Sequence, residues 1–277
     1  MGLTLTFRHK IALAITLASS GTIILCATAL IAFNTVIDST RQVSDLGELA
    51  DSLMELQIEL YALTKQRADL TTGAVDEFKT LSAEIRSSYV GALANALTAV
   101  DTSIQQQAEG VIPAVIEHLD SLDHWLEQKQ AFGLSASEGQ LGTLNNSADA
   151  LKAKISNFST LGGLLQSVRQ HEKDFLLQAD TALADKALTI AAELKTTLTE
   201  YGFQKYVTLT DDYTQALTQI MANYGKINAS ESLLEQQIQA LIERASQAER
   251  QIEDQFMDTA AADAEQAAQT AQQLLIG

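Results

Sequence analysis

Residues 230–256 read SESLLEQQIQALIERASQAERQIEDQF. Leu234, Ile238, Leu241, Ala245, Ala248, Ile252 and Phe256 follow one another at steps of three or four. That spacing returns side chains to one face of an α-helix and draws the apolar seam of a bundle or coiled coil. The remaining faces are Gln, Glu, Arg and Ser, so such a helix buries one side only. Leu49, Leu53, Leu56, Leu60 and Leu63 repeat the pattern near the other end of the chain. Stripes of this kind are core positions far more often than ligand contacts.

Composition extends the helical reading to the whole chain. There is one proline, Pro113, and aromatics make up 5% of the 277 residues. Ala, Leu, Gln, Glu and Lys are strong helix formers, and Gly and Pro are the main breakers. The expected fold class is therefore all-α. The first segment runs from about Thr35 to Leu70 and stops at Thr71-Thr72-Gly73. A second spans about Ala74 to Glu109, with Gly110 and Pro113 marking a break and a new start, because proline suits a first helical turn. The third reaches Phe132 and is followed by a turn over Gly133 to Glu138. Leu141 to Phe158 forms a further helix, and Gly162-Gly163 marks a kink or turn. Leu164 to Gln178 is helical, Asp180 caps a helix from about Ala182 to Tyr201, and Gly202 breaks it. Lys205 to Tyr224 leads to Gly225, and the last helix runs from Ser230. Phe132-Gly133-Leu134-Ser135 resembles Tyr224-Gly225-Lys226-Ile227, which suggests a repeated helical unit. Amphipathic helices with short loops pack as four-helix bundles. The expectation is two stacked antiparallel four-helix bundles made of about six helices, two of them long.

Ile11 to Phe33 contains no charged residue. About 20 apolar residues suffice to span a bilayer as a helix. A cleaved signal peptide has an apolar region of only about 7–15 residues, whereas Leu30, Ile31 and Phe33 continue this one past Ala27 and Ala29. It is read as an uncleaved transmembrane helix. Arg8, His9 and Lys10 precede it and acidic residues dominate beyond Asp38, so positive charge places residues 1–10 in the cytoplasm and residues 34–277 outside. The expected location is the bacterial inner membrane, with the bulk of the chain periplasmic. The apolar start at Leu274-Leu275-Ile276 is read as the beginning of a second membrane helix followed by a cytoplasmic signalling region. Leu25 precedes the only cysteine, Cys26, where a lipoprotein site needs a small residue. A net charge of −17 argues against nucleic acid, which requires a basic face.

Arg169-Gln170-His171-Glu172-Lys173-Asp174-Phe175-Leu176-Leu177-Gln178-Ala179-Asp180 resembles an element of the helical bimodular sensor domain of bacterial methyl-accepting chemotaxis proteins and of some sensor histidine kinases. The Gly133-Leu134 turn upstream is also similar. The resemblance covers about Thr35 to Gly277, although only these short pieces are distinctive. It implies two stacked bundles, each able to host a small organic acid, and a homodimer formed through the first and last outer helices. It also implies a signal carried inward by a second membrane helix. The arginines that dicarboxylate-binding members carry on the first outer helix have no counterpart between Arg41 and Lys65. Within the motif, Val168, Phe175 and Leu176 are expected in the core, Glu172 and Lys173 in solvent, and Arg169 or Asp174 in an ion pair.

No catalytic constellation emerges, and the chain is not expected to be an enzyme or to hold a cofactor. His118 and His124 are six residues apart, which misses the i, i+4 spacing of a helical zinc pair. With His171 they are read as solvated or rim side chains, and no metal is expected. For a carboxylate ligand arginine is the best partner, because its planar fork binds two oxygens at once. The candidates are Arg86, Arg244 and Arg250 in the membrane-proximal bundle and Arg169 in the distal one, with surface ion pairs as the plainer reading of each. Two outputs compete, a chemoreceptor and a histidine kinase. A membrane-anchored coiled-coil scaffold is the third possibility, and the acidic surface is also compatible with amines.

Overall fold

The computed structural model describes residues 40–276. The apolar run Ile11–Phe33, read as a membrane anchor, lies outside the described residues. Among the described residues the chain is helical throughout, with no strand and no helix long and apolar enough to cross a membrane. Helix α1 occupies residues 40–68, and a 3-10 turn at Thr72–Ala74 leads into α2, Val75–Glu84. One π-helical turn, Ile85–Tyr89, joins α2 to α3, Val90–Ala99. Then follow α4 (Thr102–Ala108), α5 (Val111–Phe132), α6 (Gly139–Ile155), α7 (Ser159–Gln178), α8 (Thr181–Glu200) and α9 (Gln204–Ile276).

The chain divides into two compact units. In the first, the described residues are 40–56, 91–110 and 245–276. Leu49, Leu53, Leu56, Ala245, Ala248 and Ile252 are buried there as the sequence seams anticipated, joined by Leu46, Leu93, Ala96 and Ile104, whereas Phe256, expected at the end of the same seam, is 39% exposed. Removing such side chains from water is what holds amphipathic helices together, at roughly 25 cal/mol per Å² of apolar surface.

The second unit comprises residues 57–90 and 111–244. Part of it packs Leu60, Leu63, Phe78, Ile85, Leu119, Leu122, Trp125, Leu234 and Ile238, with the Phe78 and Trp125 rings 6.3 Å apart. Another part is built from α6, α7, α8 and the first stretch of α9. Leu144, Val168, Phe175, Ala184, Ala187, Ala191, Tyr213, Leu217 and Ile220 share one core there. Leu151, Ile155, Leu161, Leu165, Leu194, Leu198 and Val207 form a second core cluster in the same helices. The three core alanines of α8 offer little bulk, so the space beside them can hold the large ring of Tyr213, which is fully buried.

Several boundaries differ from the sequence expectation. Gly225 lies inside α9, with Ile220 and Ile227 buried on either side of it. The seam continues through the glycine, and that packing outweighs a penalty of about 1 kcal/mol for glycine in a helix. The proposed repeat therefore fails, since only Gly133 sits in a turn. There φ is +120°, and a Cβ would collide with the Glu138 carbonyl oxygen. Gly162 and Gly163 are likewise helical. The break lies at residues 156–158, where Phe158 is extended and α7 begins with the bond from Gly162 N to the Phe158 oxygen at 2.8 Å. Phe158 stacks on Phe203 at 4.9 Å, a tertiary contact invisible in the local sequence. The segment expected to run unbroken to Glu109 is interrupted at Asp101, whose backbone is extended and whose carboxylate accepts from Gln42 Nε2 at 3.0 Å.

Candidate functional site

Asn145, Asp149 and Lys152 are spaced four and three apart on α6, which brings them to one helical face. Gly162, Gly163, Gln166, Arg169 and Lys173 likewise form one face of α7. Between these faces lies a groove of about 680 Å³, lined by Asp149, Lys152, Gly163, Gln166, Arg169 and Lys173 among others. The absence of side chains at the two glycines opens it. A Cβ built on Gly163 would meet nothing within 4 Å.

Arg169 forms the inner wall, and its guanidinium is held from two sides. Nη1 donates to both oxygens of Glu172, at 2.6 and 2.7 Å, and Nη2 donates to Asn145 Oδ1 at 2.6 Å. Asn145 is itself fixed, donating to the Ala136 carbonyl at 2.7 Å. Glu172 is 1% exposed and accepts a further hydrogen bond from the Tyr213 hydroxyl of α9 at 2.5 Å. A buried carboxylate is tolerable only when its oxygens are satisfied by charged or strongly polar donors, and here both are. Burial first, and then the adjacent Glu172 charge, push the Tyr213 hydroxyl well above its ordinary range. It therefore stays a proton donor at any physiological pH.

Glu172, expected in solvent, is thus a buried residue. Leu161, Leu165, Val168, Glu172 and Phe175 are all buried at alternating steps of four and three, so register alone marks Glu172 as a core position. The expected ion pair of Arg169 is present, with Glu172 as its partner. Lys173 is exposed as expected. Asn145, Asp149, Lys152 and Tyr213 were not singled out by sequence.

The other three candidate arginines do not line this groove. Arg86 sits on the π-helical turn and clamps α5, with Nη1 2.7 Å from Asp120 and Nη2 3.1 Å from Asp123. This is the surface ion pair that was the plainer reading of Arg86. Arg244 and Arg250 are exposed on α9.

The histidines also part from expectation. His124 is exposed, but His118 is 1% exposed. Burial lowers the His118 pKa to about 4, against a raising hydrogen bond from Gln237 and with a further lowering by Arg67. A neutral imidazole on the seam Val115, His118, Leu119, Leu122 costs less to desolvate than a cation. Among the described residues no group of three His, Cys, Asp or Glu could hold a metal ion. No family model, no curated protein and no solved structure matches this chain.

Proposed function

We propose that the chain is the extracytoplasmic sensing region of a membrane-anchored bacterial chemoreceptor, a binding module and not a catalyst, with a small organic acid as ligand. The observation that carries this reading is the α6–α7 groove, where Arg169, Lys152 and Lys173 converge on a space of small-molecule size. The fork of Arg169 is already oriented by Glu172 and Asn145, and such preorganisation lowers the entropic cost of binding. The uncharged run at Ile11–Phe33 and the resemblance of residues 169–180 supply the membrane and signalling parts of the proposal.

In this reading the amphipathic helices pack as antiparallel four-helix bundles. Ligand binding shifts α9 by an ångström or so, a scale typical of packed-helix switches. Homodimerisation through the first and last outer helices is supported on α1 by Ile58 and Tyr61, which are one turn apart and 57% and 71% exposed. Sedimentation of the full chain in detergent tests that part. Ile58→Glu with Tyr61→Glu converts a dimer to a monomer, and an unchanged mass refutes the interface.

The binding proposal is tested by calorimetry of the full chain against organic acids, with Lys152→Gln/Lys173→Gln as the comparison. Both lysines are exposed, so the double variant folds. Acids that bind the parent chain and lose affinity in the variant support the groove. An acid bound equally by both proteins places the site elsewhere. Absence of any binding across a broad panel of acids favours the scaffold reading.

A further inference from the structure

The groove carries a charge pattern as well as a net sign. On α6, Asp149 stands between Asn145, which Arg169 grips at 2.6 Å, and Lys152. Asn145 and Lys152 are two helical turns apart, so about 10 Å separates them along the axis. Arg169 and Lys173 are one turn apart on α7 and form the cationic station at one end, and Lys152 forms the other. Asp149, the only carboxylate lining the groove among the described residues, lies between them. No ion pair among the described residues joins Asp149 to Lys152 or Lys173. Glu172, behind the wall, is bound to Arg169. Three cations against these two carboxylates leave one net positive charge at the site.

From this order of charges we infer that the groove selects a dicarboxylate bearing an ammonium group between its two carboxylates, an acidic amino acid or imino-diacid, over a plain dicarboxylic acid. One ligand carboxylate meets Arg169 and Lys173, the other meets Lys152, and the ammonium meets Asp149. Such a ligand carries net charge −1 and matches the site. A plain dicarboxylate carries −2 and leaves Asp149 facing added negative charge. A like charge placed in contact with an unpaired one is a repulsive discriminator, the element that sets specificity when attraction alone does not. This inference rests on the groove being the ligand site, as proposed above.

Calorimetry of the full chain with L-glutamate and with glutarate isolates the ammonium, since the two probes share their carbon chain and both carboxylates. Glutamate is expected to bind roughly tenfold more tightly. Asp149→Asn, at an exposed position, is expected to bring the two within about twofold of each other, while Lys152→Gln/Lys173→Gln weakens both. Equal binding of the two probes, or a preference for glutamate that survives Asp149→Asn, overturns the inference. If the lysine variant still weakens both probes in that case, the organic-acid reading stands without it. No binding of either probe sinks the inference and counts against the reading on which it rests.

Discussion

The Tyr213 hydroxyl of α9 donates to Glu172 Oε2 of α7 at 2.5 Å, with both residues closed off from solvent. This bond, the Arg169–Glu172 pair and the Arg169–Asn145 bond tie α6, α7 and α9 into a single polar network. Its energetics are asymmetric. A satisfied buried ion pair adds little net stability, yet removing one partner strands a charge in a low-dielectric interior.

Removing the hydroxyl alone, Tyr213→Phe, leaves Glu172 with Arg169 but takes away a hydrogen bond to a charged acceptor. A loss of about 2 kcal/mol is expected in urea denaturation. Arg169→Met is expected to cost more, about 3–5 kcal/mol, because the Glu172 carboxylate is then uncompensated. Adding Glu172→Gln to Arg169→Met should recover part of that loss. If the double variant is the less stable by the sum of both single effects, the network is not coupled.

His118 makes stability depend on pH. Its folded-state pKa is about 4 against 6.5 for the free side chain, so between those values the unfolded chain binds the proton and the folded chain does not. Stability therefore falls as pH drops from about 6.5 to 4, by up to about 3 kcal/mol from this group. Carboxylates titrate in the lower part of the same range, so the test compares denaturation of the parent and His118→Gln at pH 7 and pH 4.5. The parent should lose more stability than the variant over that interval. Equal losses mean that the imidazole is not what responds.

How much of this could be read beforehand follows the helical register. The leucines from Leu49 to Leu63 and the seam from Leu234 to Ile252 are buried as their spacing demanded, whereas Phe256 at the next step of the same period is 39% exposed. The same period, applied strictly, marks both Glu172 and His118 as interior, although chemistry by residue type argues for solvent. Arg169 was legible as a candidate, because an arginine fork suits a carboxylate ligand. Its juxtaposition with Lys152 and Asp149 was not. That depends on which face α6 turns toward α7, and the turn between them contains no glycine or proline to announce it. Gly225 and Gly162 misled for the converse reason, since flanking buried residues hold the helix through them.

Ala179 closes α7 with φ of 58° and ψ of 19°, the left-handed conformation. It is the only non-glycine among the described residues with positive φ. A Cβ there costs about 1 kcal/mol relative to glycine, which is the usual residue at this helix-terminal position. Ala179 is also exposed, so no packing is lost on substitution. Ala179→Gly should raise the melting temperature, by an amount that corresponds to about 1 kcal/mol less the extra entropy of glycine in the unfolded chain. A lowered melting temperature means that the entropy term wins.

Gly163 offers a way to close the groove without disturbing the core. It is exposed and helical, and a Cβ there meets nothing within 4 Å. Exchange of glycine for a better helix former stabilises a helix by up to about 1 kcal/mol. Gly163→Ala should therefore be neutral or stabilising and leave ligand affinity nearly unchanged. Gly163→Trp places a large ring in the space between Lys152 and Gln166, both of which line the same groove. It should keep the fold, read by circular dichroism, while weakening any acid bound there at least about tenfold by calorimetry. The two variants separate steric exclusion from loss of glycine itself. If the tryptophan variant folds and binds as tightly as the alanine one, the groove does not contain the ligand.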